Sequence, residues 1–174
     1  MTWDQYFMNL CDAIASKSPC LSRKIGCILV RDNVILSTGY NGPPRKAPHC
    51  DSLERLHQIS DIIDDNETYD SFLSSDPRPK ICPRRILNYP SGQGLHLCIA
   101  AHAEENCIST AARVGVSVKD STLYINTGVP CSRCLGHLVN AGVTEIVALE
   151  PKLLYDYNSG IIIKSSWMKI RGPR

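Results

Sequence analysis

The sequence predicts an α/β fold: a three-layer α/β/α sandwich around a central mixed sheet of about five strands. Two observations carry this. An early pair of β-branched runs reads as a hairpin, and the second half of the chain alternates strands with helix-period segments, the pattern that places helices on the faces of a sheet. With 174 residues, 43% of them hydrophobic, the chain is long enough to bury one sizeable core. A single domain over 1–174 is expected, carrying a proline-rich insertion at about 43–98.

The elements follow in order. Residues 2–16 space Trp3, Phe7, Leu10 and Ile14 at helical intervals, with Thr2 as N-cap, Asp4 in the first turn and Pro19 beyond the end. Residues 25–30 and 34–38 flank Arg31-Asp32-Asn33 as a hairpin would. Gly39-Tyr40-Asn41-Gly42-Pro43-Pro44 then interrupts regular structure. A weak helical pattern at 52–63 lies inside the irregular stretch. Residues 102–113 read as a helix, 121–126 as a strand, 132–140 as a helix with Gly142 past its end, and 144–149 as a strand. Ile161 to Lys164 is the expected last strand, on its β-branched run.

Charge and cysteine content narrow the function. Nineteen Lys and Arg against seventeen Asp and Glu leave a net charge of +2, too even for a general nucleic-acid binder with its dense basic face. A small-molecule partner is expected, with no nucleic acid and no membrane. Neither a signal-peptide pattern nor a long apolar run is present in these residues. Nine cysteines without a secretion signal point to a reducing compartment, hence a cytoplasmic location, where clustered Cys and His bind metal more often than they form disulfides.

The chemistry sits in two fragments, His102-Ala103-Glu104 and Pro130-Cys131-Ser132-Arg133-Cys134, each opening an expected helix. His102, Cys131 and Cys134 are donors that zinc favours, and the Cys-x-x-Cys gap lets one helical turn present both thiolates. Three protein ligands leave one tetrahedral position open, the mark of a catalytic zinc site. Glu104, two residues past His102, is the proton carrier. Together these make the H-x-E … P-C-x-x-C signature of zinc deaminases. A lone Cys-x-x-C would suit a structural half-site or redox pair equally well.

The resemblance reaches further. Trp3-Asp4-Gln5-Tyr6-Phe7-Met8, Ser22-Arg23-Lys24-Ile25-Gly26-Cys27, Ser37-Thr38-Gly39-Tyr40-Asn41-Gly42, Pro48-His49-Cys50, Pro90-Ser91-Gly92 and His102-Ala103-Glu104-Glu105-Asn106 resemble segments of the deoxycytidylate (dCMP) deaminases. That resemblance implies a cytidine deaminase-like fold and hydrolysis of dCMP to dUMP and ammonia, feeding thymidylate synthesis. It also implies a homohexamer activated by dCTP with Mg2+ and inhibited by dTTP. Asn41 is then expected on the sugar, Ser22 and Arg23 near the phosphate, and Tyr155 near the nucleotide; turn chemistry, solvation and packing are their plain alternatives. The sequence departs from the family at Glu105, where Gln is frequent, and at Cys107, where Ala is common.

Six further donors, Cys20, His49, Cys50, Cys82, His96 and Cys98, flank or lie within the insertion. A structural zinc there would hold down a long irregular segment, and some bacterial and phage dCMP deaminases with similar Pro-His-Cys elements carry one. Cys20, His49, Cys82 and Cys98 are the expected four, with Cys50 and His96 as substitutes; buried free thiols are the alternative. Cys11, Cys27 and Cys107 fall on apolar faces and read as core. Rival functions are a tRNA adenosine deaminase, another nucleoside or base deaminase of this fold, and a non-catalytic zinc-stabilised nucleotide-binding module; the last is disfavoured because Glu104 is present.

Overall fold

The computed structural model describes residues 1–50, 52, 54, 55, 82–86, 88–90 and 93–174. They fall into two compact units, one formed by Met1–Ser18, Ile25–Asn41 and His102–Arg174, the other by Pro19–Lys24 and Gly42–Ala101.

The first unit opens with helix α1 (Trp3–Ala15). Thr2 starts it through a reciprocal cap: its hydroxyl accepts the Gln5 N–H at 3.2 Å, and Gln5 Oε1 accepts the Thr2 N–H at 2.9 Å. Strands β1 (Gly26–Arg31) and β2 (Val34–Tyr40) form the expected hairpin. Asp32 and Asn33 both take positive φ (53° and 61°), the turn whose twist matches the strands it joins. Helix α3 (Ala103–Val114), strand β3 (Thr122–Gly128), helix α4 (Ser132–Asn140) and strand β4 (Glu145–Glu150) follow, then helix α5 (Tyr157–Ser166) and strand β5 (Lys169–Arg171). The sheet order is β2-β1-β3-β4-β5; β1 is antiparallel to β2 and β3, while β3, β4 and β5 run parallel. The sheet is thus mixed and five-stranded, as expected.

β1 is apolar on both faces because both are covered. Ile28 and Val30 join Phe7, Met8 and Cys11 of α1, whereas Cys27 and Leu29 join Ala103 and Cys107 of α3 and Leu135 and Leu138 of α4. The period of two along a strand sends alternate residues to opposite layers. Leu135 and Leu138 have no exposed surface, and each such burial stabilises by about 1.5–3 kcal/mol. Cys11, Cys27 and Cys107 are likewise wholly buried.

Two glycines set how closely helices approach the sheet. A Cβ on Gly26 would lie 2.2 Å from the Cys11 carbonyl oxygen of α1, and a Cβ on Gly39 would lie 2.2 Å from that of Ala103 in α3. Only a hydrogen fits at either place.

The C-terminal part corrects one expectation. Ile161 to Lys164 is not a strand but the second half of α5, and the last strand lies further on at Lys169–Arg171. The β-branched run is overridden by a local start signal: Asp156, in extended conformation, accepts the Ser159 N–H at 2.8 Å and opens the helix. β5 then carries Arg171, which pairs with Asp4 of α1 and, at 2.9 Å, with Glu145 of β4. The Arg174 N–H adds a 2.8 Å bond to Asp4, and Tyr124 of β3 donates its hydroxyl to the same carboxylate at 2.8 Å.

The second unit contains a short helix α2 (Pro83–Ile86) and a 3₁₀ turn at Leu95–Leu97. Its neck is closed by an isolated antiparallel bridge in which Gly42 and Ala101 exchange backbone bonds of 3.1 and 3.0 Å. Buried Arg55 donates to the Leu97 carbonyl. The helical pattern expected at 52–63 lies outside the described residues apart from 52, 54 and 55.

Candidate active site

The two signature fragments meet at neighbouring helix N-termini in the first unit. His102 is the N-cap of α3 and Cys131 the N-cap of α4, both with extended backbone (φ −70° and −64°). The His102 N–H is accepted by Glu105 Oε2 at 2.7 Å, which fixes the cap. That residue departs from the commoner Gln yet makes the same capping contact, and its place three residues after the N-cap is a legible signal.

The His102 ring turns Nδ1 toward both thiols, 3.5 Å from Cys131 Sγ and 3.3 Å from Cys134 Sγ. Among the described residues this is the one group of three or more His, Cys, Asp or Glu whose ligand atoms all lie within 4.8 Å of one another. Tetrahedral zinc with bonds near 2.0–2.3 Å separates its ligand atoms by about 3.5–3.8 Å, so both spacing and donor types suit that ion.

The electrostatics agree with such a use. The hydrogen bond from Cys134 holds Cys131 down at about 4, with burial opposing it and His102 helping. Cys134, as the donor of that bond and fully buried, is pushed up. His102 is raised, first by its bond to Cys131. One thiolate is therefore preformed beside an imidazole and a second thiol, and proton release on binding a cation completes the donor set.

Glu104 stands apart from the ligand group and is 5% exposed. Burial pushes it up to about 7, near the pH range in which a side chain best takes up and gives back a proton. Its position in the first turn of α3 is set by Gly39, whose missing side chain lets that turn sit directly on β2.

Asn41, one residue past the end of β2, lies just before Gly42 in the isolated bridge to Ala101. Its side-chain oxygen accepts the Ile25 N–H at 2.8 Å and lies 2.8 Å from the hydroxyl of buried Ser18. The amide is therefore oriented by the fold. Tyr155, 38% exposed, shares a 2.8 Å hydroxyl–hydroxyl bond with Thr127 at the end of β3. Ser22 and Arg23 are exposed in the second unit.

The profile of the family described as "Cytidine and deoxycytidylate deaminase zinc-binding region" matches residues 1–150. The chain belongs to that family. Among deaminase relatives, it is 32% identical over 170 residues to the deoxycytidylate deaminase of Saccharomyces cerevisiae, covering 98% of this chain and 44% of that protein. It is 34% identical over 146 residues to that of Schizosaccharomyces pombe, covering 84% and 36% respectively. The chain thus spans less than half the length of these curated relatives. The dCMP deaminase of cyanophage S-TIM5, solved in complex with dCMP and dUMP, shares the deaminase fold with a TM-score of 0.62 at 20% identity, over 97% of this chain and 94% of that one.

The expected insertion donors lie in the second unit. Cys50 is buried and Cys20, Cys82 and Cys98 lie close enough to reinforce the effect of burial, which together push its thiol up to about 11. His49, the expected fourth member, is exposed, as is His96. In Pro48-His49-Cys50 the cysteine is the buried member. The sulfurs of these cysteines are not drawn together as tightly as the His102 group. The Ser22 N–H donates to Cys20 Sγ at 3.5 Å.

Sequence reasoning missed Ser18, Thr127, Asp156 and Ser159. Their roles depend on which segments meet in space, and only Asp156 had a local signal, as an N-cap three residues before Ser159. Among the described residues no helix is long and apolar enough to cross a membrane.

Proposed function

We propose that this chain catalyses the hydrolytic deamination of dCMP to dUMP and ammonia. The observation that carries the reading is the His102–Cys131–Cys134 group with buried Glu104 in the same helix turn as His102, in a chain similar over 98% of its length to a deoxycytidylate deaminase. When bound by His102, Cys131 and Cys134, zinc supplies Lewis-acid polarisation of water. The remaining work falls to Glu104. It takes a proton from the water that adds to C4 of the cytosine ring and gives it to N3. It then takes the second proton, from the new hydroxyl on C4, and delivers it to the amino group, which leaves as ammonia while the C4 carbonyl forms. Asn41, its oxygen engaged with Ser18 and Ile25, presents its amide to the sugar, and Tyr155 borders the nucleotide. Ser22 and Arg23 are the phosphate contacts of the proposal.

Three finer parts of the reading rest on the family resemblance. They are activation by dCTP with Mg2+, inhibition by dTTP, and a homohexamer; the cytoplasmic location rests instead on the cysteine content. A fourth, a structural zinc, is held by Cys20, Cys50, Cys82 and Cys98, and it predicts two zinc ions per chain by elemental analysis. Cys50→Ser reduces the count to one, whereas His49→Ala leaves it at two.

Ultraviolet-monitored deamination of dCMP, deoxycytidine and dCTP, each with and without added dCTP or dTTP and Mg2+, tests the substrate and the regulation together. Turnover of dCMP alone, raised by dCTP and lowered by dTTP, is the expected result. Zinc-replete protein that leaves dCMP untouched with dCTP present overturns the substrate.

A further inference from the structure

Cys131 occupies an N-cap position without performing the usual task of an N-cap side chain. Asn, Asp, Ser or Thr at that place would accept one of the first amides of the helix, but the Cys131 sulfur makes no such bond in α4. The amide of Ser132, next in sequence, is instead accepted by Asp156 Oδ2 at 2.9 Å, from a residue 24 positions away. The other oxygen of the same carboxylate accepts the Ser159 N–H at 2.8 Å and starts α5. Ser159, with no exposed surface, donates its hydroxyl to the Pro130 carbonyl at 3.3 Å.

The backbone is therefore gripped immediately before Cys131, at Pro130, and immediately after it, at Ser132. Both grips come from one turn, Asp156 to Ser159, and neither uses the cysteine. The arrangement separates two duties that an ordinary cap combines. Asp156 satisfies the helix start, which leaves the Cys131 sulfur for His102, Cys134 and a metal ion.

We infer that Asp156 is a positioning residue for the metal site, presetting Cys131 through the Ser132 amide, with Ser159 as its second arm through the Pro130 carbonyl. The inference rests on the zinc reading above and needs no particular substrate. Groups that orient metal ligands at one remove generally cost about 10–100-fold in metal affinity when lost.

The test measures zinc affinity directly, by competition against a chromophoric chelator, with cobalt(II) as a second probe whose thiolate-to-metal absorption reports the Cys131 and Cys134 bonds. Asp156→Ala is expected to weaken zinc at least about tenfold. Ser159→Ala weakens it in the same direction by less, and Asp156→Asn, which keeps one well-placed oxygen, recovers part of the loss. Thr2→Ala serves as the control: it removes a cap elsewhere in the fold, so it lowers the melting temperature while zinc affinity stays at the parent value. If Asp156→Ala and Ser159→Ala both bind zinc within twofold of the parent and lose only thermal stability, Asp156 is a helix cap and the inference fails. Should Asp156→Ala not fold, Ser159→Ala and Asp156→Asn decide the matter. A parent protein that binds no metal overturns the zinc reading and this inference together, whereas unchanged affinity in a metal-binding parent overturns this inference alone.

Discussion

Glu104 holds its carboxylate inside the protein at a cost that burial makes plain, since desolvation lifts it to about 7. A buried acid is costly to hold in the charged form, and proton transfer is the role proposed for this one. Glu104→Gln keeps the volume and removes the proton traffic. Turnover of dCMP should fall by about 10²–10⁴-fold or more, with zinc content unchanged, as assayed by ultraviolet absorbance and elemental analysis. Retained activity in that variant would remove Glu104 from the mechanism. The four residues of this centre were legible in the sequence because each pair is local: a histidine two residues before a glutamate, and two cysteines one turn apart. His49 and Cys50 show where legibility stops. They are neighbours, both plausible zinc donors, and spacing alone does not say which of two adjacent side chains faces inward.

At the scale of elements, the placement of α3 depends on what β2 lacks. Gly39 lets the first turn of α3, with Glu104 in it, rest on the strand. Gly39→Ala sets a methyl against backbone atoms, which cannot swing aside as a side chain can. The helix must lift, at a cost of about 1–3 kcal/mol or more. A urea titration should show the lost stability, and dCMP turnover should fall further than stability alone explains because Glu104 moves with the helix. A Gly39→Ala protein with parental melting and activity would mean that the close approach is dispensable. Most elements were readable because their boundaries carry their own chemistry, such as Thr2 before α1, Asp32-Asn33 between the strands and Gly142 after α4. The misplaced last strand had the opposite character. Ile161-Ile162-Ile163 suits a strand by composition, but a carboxylate at Asp156 and packing against the sheet made it helical.

Across the first unit, buried Asp4 gathers three contacts from distant parts of the chain: the Arg171 guanidinium, the Arg174 amide and the Tyr124 hydroxyl. Burial alone would raise its pKa, but the hydrogen bonds from Arg171, Arg174 and Tyr124 outweigh it and hold the carboxyl below its ordinary 3.8. The unfolded chain therefore takes up this proton at a higher pH than the folded one. Stability from Asp4 is present in full above 3.8 and drains away as the pH falls through the lowered value. Asp4→Asn should cost about 1.5–3 kcal/mol at neutral pH and flatten the acid limb of a stability–pH curve measured by denaturant titration. An unchanged acid limb would show that other carboxylates govern acid unfolding. None of this pairing was visible in the sequence, since Asp4 and Arg171 stand at opposite ends of it. The bridge between Gly42 and Ala101 has a different consequence. It joins the backbone on either side of residues 43–100 by two bonds, and the general cost of bringing the ends of a flexible connection together grows only with the logarithm of its length, about 0.6 kcal/mol for each doubling. Lengthening or trimming the loop is thermodynamically cheap so long as the two backbone bonds at its base survive. Evolution and protein engineering can therefore change the length of the connection while Gly42 and Ala101 keep their pairing.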